Sequence, residues 1–134
     1  MIATMNAANP DILPERDAPF RLRGVYQTDI DGCRDVLVLD LDGASLTFKA
    51  DPDTDAIDAF YTDGDFHAGG ELQPLANSPF DPFAGAELGW TWLATNQQGY
   101  CDSALLSFNG IVPNLMVHVI GSAVRVFAIA PGGI

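Results

Sequence analysis

The sequence predicts a mainly β chain: a single-domain antiparallel β-sandwich or curled sheet of seven to eight strands, with at most a short helix in 62–86. Three observations carry this. Apolar and polar residues alternate in short runs rich in Val, Ile, Phe and Trp, as a half-buried strand requires. Tight-turn residues separate those runs at Asp42-Gly43, Asn96 to Gly99 and Gly121-Ser122. No window keeps a helical period over three turns.

Taken in order, residues 1–19 hold Pro10, Pro14 and Pro19 without any clear period, and read as an extended or mobile N-terminal arm. The folded domain is then 20–134. Phe20, Leu22 and Tyr26 mark a first strand over 20–28. Val36 to Leu39 and Leu46 to Phe48 flank Asp42-Gly43 and form a hairpin, because glycine tolerates the positive φ of a primed turn. Pro52 sets a turn over 51–55, and 57–61 is a short strand or a helical turn. Residues 62–86 contain four glycines and three prolines, which makes a long irregular connection with a short helix near 72–76. Residues 88–94 set Leu88, Trp90 and Trp92 on one strand face. The return strand is 104–108, stopped by Asn109-Gly110. Residues 115–120 and 124–129 pair around Gly121-Ser122.

Length and charge bound the rest. The chain has 134 residues, which suits one domain, and 48% hydrophobic residues suffice for a core. Eighteen acids against six Lys and Arg give a net charge of −12. Phosphate-rich partners would be repelled, so neither nucleic acid nor an anionic membrane is expected. The charge is local: eleven acids face only Arg34 and Lys49 in 29–65, and Arg125 is the one charged residue in 103–134. No basic start precedes an apolar run, and no apolar stretch reaches the ~18 residues of a membrane span. With two cysteines, Cys33 and Cys101, read as free thiols, a cytoplasmic location is expected.

The segment from Leu88 to Asp102 reads LGWTWLATNQQGYCD. This W-x-W…N-x-QGY-x-D block resembles the most recognisable block of a small bacterial family, domain of unknown function 6334. The Asp-rich stretch Ala50-Asp51-Pro52-Asp53-Thr54-Asp55 and the apolar β ending at 117–129 are similar to that family as well. The resemblance covers about 20–130; the arm at 1–19 and the Pro/Gly-rich 74–85 depart from it. It implies a fold and assigns no catalytic residue.

Four constellations carry possible chemistry. Trp90, Trp92, Asn96, Tyr100 and Asp102 form the first. The plain reading packs both tryptophans in the core and uses Asn96 and Asp102 to bond turn amides. The alternative is a small-molecule or metal-binding site built on that turn. Asp51, Asp53 and Asp55 form the second and have the alternation of a calcium loop. Ala56 stands where that loop needs Gly, and Thr62 where it needs a bidentate Glu, so a solvated acidic loop is expected and no metal. Cys101 with His118 is the third; no nucleophile signature surrounds the cysteine. Cys33, Cys101, His67 and His118 lack paired zinc spacing. Fourth, fifteen Asp and three Glu make chance carboxylate pairs common, so a glycosidase pair is not readable from sequence. No phosphate loop, dinucleotide fingerprint or nucleophile elbow is present.

The expected function is therefore a non-enzymatic acidic interaction module without a cofactor. Its partner would be a protein with a basic surface, in the specific form of a toxin active site occluded by an immunity (antitoxin-like) protein. The partner-binding residues would be Asp51, Asp53, Asp55, Asp58, Asp63 and Asp65. A further alternative is a structural homodimer joined through the apolar final strands.

Overall fold

A computed structural model describes residues 2–4, 13–14, 16–28 and 35–129. Among them are ten strands: β1 (Ile2–Thr4), β2 (Gly24–Thr28), β3 (Val36–Asp40), β4 (Ala44–Ala50), β5 (Ile57–Asp63), β6 (Leu72–Pro74), β7 (Leu88–Thr95), β8 (Cys101–Phe108), β9 (Leu115–Ile120) and β10 (Ala123–Ala128). They form a six-stranded sheet in the order β1-β5-β4-β3-β2-β6 and a four-stranded sheet in the order β10-β9-β8-β7. Every pairing is antiparallel. The mainly β class is as the sequence predicts, and the two three-residue strands β1 and β6 add to the expected number.

Alternation sorts the first sheet. Leu37 and Leu39 on β3, Leu46 and Phe48 on β4, and Ile57, Ala59 and Tyr61 on β5 all point inward and are buried. The second sheet answers with Leu88, Leu106, Phe108, Leu115, Val117 and Val124. Together they make one core between two sheets, with roughly 1.5–3 kcal/mol gained by each large apolar side chain fully removed from water. Asp42 (φ 52) and Gly43 (φ 86) form the predicted primed turn, closed by Leu41 N–H donating to Ala44 O at 2.9 Å. Gly121 (φ 59) and Ser122 (φ 63) form another between β9 and β10.

Three local expectations change. The strand expected over 20–28 begins as β2 only at Gly24. Before it, Phe20 to Leu22 run beside 85–88: Leu22 N–H donates to Ala86 O and Leu88 N–H to Phe20 O, at 2.9 and 2.8 Å. The chain thus leaves the margin of one sheet to enter the other. The helix expected near 72–76 is instead β6, an edge strand on β2. Pro74 fits there because an edge residue needs no N–H for the ladder. The one short helical segment within 62–86 is a 3₁₀ turn, Asp81–Phe83, started by Pro82. Phe80 beside it is 2% exposed and meets Phe108 edge-on at 6.4 Å between ring centres, so the irregular connection supplies a core residue. Third, 57–61 is fully a strand, extended to Asp63 by pairing with β4.

Within the stretch read as an arm, β1 pairs with β5, and Leu13 is buried in the core.

Candidate functional site

The six aspartates expected to bind a partner lie along β5 and its flanking turns. Asp51, Asp53 and Asp55 sit in the β4–β5 turn, and Asp58 projects from the outer face beside Lys49 of β4. Asp63 and Asp65 lie at the opposite end of β5, about 20 Å away at 3.3 Å per residue. They therefore form two groups. Several are engaged within the chain. Asp51 Oδ1 accepts the Asp53 N–H at 2.9 Å, an Asx turn. Asp55 Oδ1 accepts the Ser122 N–H at 2.8 Å. Asp63 Oδ1 accepts the Tyr61 O–H at 2.7 Å. Asp53, Asp58, Asp63 and Asp65 remain exposed.

Asp65 also lines a cleft of about 260 Å³ with Arg23, Asp40, Phe66 and His67. Arg23 and Asp42 form the one ion pair among the described residues, at 3.4 Å and well exposed.

The tryptophans stand where the core reading did not put them. A register shift between Leu88 and Trp90 turns Leu88 inward and Trp90 and Trp92 outward. Their rings stack at 6.3 Å between centres and 14° between planes, and Trp90 is 51% exposed. The outward reading for this pair is the correct one, because the bulge inserts one residue and flips the face of everything after it. Asn96, Tyr100 and Asp102 belong to the β7–β8 turn instead. Asn96 Oδ1 accepts the Gln98 N–H at 2.8 Å, and its Nδ2 donates to Asp102 at 3.2 Å. Asn96 N–H bonds Tyr100 O at 3.0 Å, and Gly99 takes φ 92. These groups bond the turn itself. Of the five residues, Trp90 alone lines an open groove of about 490 Å³, with Leu13, Arg16, Phe20 and Glu87 among the others.

Cys101 and His118 are not brought together. Cys101 is buried and belongs to the core cluster. His118 sits opposite Ser103 and Arg125 on the outer face of the second sheet. Burial pushes the Cys101 thiol up from its ordinary value, which disfavours thiolate. Cys33 lies outside the described residues. Among the described residues no group of three His, Cys, Asp or Glu is placed to hold a metal ion. No helix among them is long and apolar enough to cross a membrane.

Two features escaped the sequence reading. Arg16 clamps backbone carbonyls: Nε donates to Ala18 O at 2.9 Å, and Nη2 lies 2.7, 3.1 and 3.0 Å from the oxygens of Pro19, Leu41 and Asp42. Its guanidinium also sits 3.8 Å from the centre of the Phe20 ring. The other is the outer face of the second sheet, where Ile120 and Phe127 are 46% and 40% exposed. Its residues alternate with inward ones that are just as apolar, so no polarity contrast marked it.

A family model described as a family of unknown function, DUF6334, matches residues 19–133. No curated protein and no solved structure matches the chain.

Proposed function

We propose that this chain, which belongs to the DUF6334 family of unknown function, is a non-enzymatic acidic interaction module of the cytoplasm whose partner is a protein with a basic surface. In its specific form it is an immunity (antitoxin-like) protein that occludes the active site of a basic toxin. One observation carries the proposal: the carboxylates are not neutralised from within. Eighteen acids meet six bases, and among the described residues a single exposed ion pair, Arg23–Asp42, joins the two kinds. Lys and Arg from a partner would supply the missing counter-charge and accelerate encounter. A nuclease cleft has that character, since it must attract phosphate. The two acid groups on β5 lie about 20 Å apart, within the span of a standard interface of ~800 Å² per partner.

The test uses the full chain as bait in a lysate of its native host, beside the triple variant Asp53→Lys, Asp58→Lys, Asp65→Lys. The wild type should retain a basic protein that raised salt releases, and the triple variant should associate with it at least about tenfold more slowly. Capture of no basic protein, or an unchanged association rate, would overturn the proposal.

A second reading rests on the groove beside Trp90, which would take a small molecule against the indole. Tryptophan emission titrated with a metabolite and calcium panel tests it. A flat response with an unchanged melting temperature counts against it.

A further inference from the structure

The outer face of the four-stranded sheet differs from the rest of the described surface. Register places Phe127, Met116, Leu105 and Trp92 in one apolar row across β10, β9, β8 and β7. Trp90 extends it on β7. The neighbouring row is Arg125, His118, Ser103 and Ala94. No carboxylate occurs in 103–129, and the only acid at the margin is Asp102, at the second register shift, beside Ser103.

We propose that a second copy of this chain docks on this face, sheet against sheet, about a two-fold axis running along the strands. Charge selects that occupant. Two copies of net charge −12 repel one another through every acid-bearing surface. They meet at least cost where carboxylates are absent, with both acidic sheets turned outward. A basic foreign partner, by contrast, is drawn to the acids and not to a face whose one charge is Arg125. The row is also self-complementary. A two-fold along the strands lays β10 of one copy over β7 of the other, so that Phe127 faces Trp92. The same operation brings Arg125 over the β7–β8 end that carries Asp102, pairing a cation at one margin with a carboxylate at the other.

Size sets the strength. Four strands ~4.8 Å apart and six to eight residues long present a face of roughly 400–450 Å². That is about half of a standard interface side, so the dimer is weak and forms at high protein concentration. It leaves the acidic sheet open and stands independently of the basic-partner proposal.

The experiment follows mass by sedimentation equilibrium and tryptophan emission together, on the full chain, up to about 1 mM. Trp90 and Trp92 are the chain's two tryptophans, so emission reports this face alone. Mass should double while emission moves to shorter wavelength over the same concentration range. Phe127→Glu and Ile120→Glu alter exposed side chains, so each should fold with an unchanged melting temperature and weaken the dimer at least about tenfold. Asp53→Lys on the far sheet should not weaken it. A chain that stays monomeric to about 1 mM overturns the proposal and leaves the face to a foreign partner. So does a dimer equally strong in both folded variants, which would place the second copy at a strand edge.

Discussion

Asp55 and Ser122, 67 residues apart, are joined across the two sheets while both hold left-handed backbone, at φ 56 and φ 63. The Ser122 N–H donates to Asp55 Oδ1 at 2.8 Å, and the Ser122 hydroxyl lies 3.2 Å from the same oxygen and 3.3 Å from Pro52 O. The acidic β4–β5 turn is thereby tied to the β9–β10 turn. Aspartate suits the position twice, since it tolerates positive φ and supplies an ionised acceptor. Asp55→Ala should cost about 2–3 kcal/mol, from a lost charge-assisted bond and an alanine at positive φ. Asp55→Asn keeps both an acceptor and the φ tolerance, and should cost about 1 kcal/mol or less. Urea unfolding distinguishes them; equal losses would mean that the bond contributes nothing.

Tyr61 makes stability depend on pH at the alkaline end. Burial, with Asp63 beside it, pushes the phenol up from 10.0 to about 12. The folded state therefore holds this proton more tightly than the unfolded chain. Its contribution is complete below pH ~10 and is lost as pH rises toward ~12, a change on the order of 2 kcal/mol. Tyr61→Phe should flatten that part of the curve while losing the 2.7 Å bond to Asp63. Urea melts between pH 9 and 12 measure the slope, and an equal slope in the variant would assign it to other groups.

The turns were the most legible part of the sequence, because Asp42-Gly43 and Gly121-Ser122 state their backbone requirement in their residue types. Strand faces were legible where they differ in polarity: in β5, Ile57, Ala59 and Tyr61 alternate with the exposed or half-buried Asp58, Phe60 and Thr62. They were not legible in β7. There a register shift after Leu88 reverses the face of Trp90 and Trp92, and nothing in their spacing announces it. The acidic run read as one patch because sequence neighbours along a strand look close. In space a seven-residue strand carries Asp63 and Asp65 to the far end. Arg16 lay in a stretch without periodicity, so its carbonyl clamp depended on contacts that only the assembled hairpin creates.

That clamp carries a prediction of its own. Arg16 joins the oxygens of Ala18 and Pro19 to those of Leu41 and Asp42 at the β3–β4 turn, and its planar fork reaches several at once. Arg16→Lys keeps the charge but supplies a single compact donor group. Both Arg16→Lys and Arg16→Ala should destabilise by about 1–3 kcal/mol, with lysine recovering less than half of the alanine loss. Native-state hydrogen exchange should show faster exchange of the Ala44-paired Leu41 N–H in both. Full rescue by lysine would show that charge, not geometry, holds the segment.

The uncompensated acids should make the fold less stable at low salt, independently of any partner. Asp51, Asp53 and Asp55 crowd one turn, and Asp40, Asp42, Asp63 and Asp65 crowd the other end of the same sheet. At low ionic strength these like charges repel over the ~10 Å that 0.1 M salt would screen. The melting temperature should therefore rise from 10 mM to 500 mM sodium chloride. Asp53→Asn, which removes an exposed charge without touching the Asp55–Ser122 link, should raise it at low salt and lose that advantage at high salt. The sign separates two roles for the same residue: a substitution that stabilises the isolated chain should slow its capture of a basic partner. A variant neutral in both measurements would show that Asp53 takes part in neither.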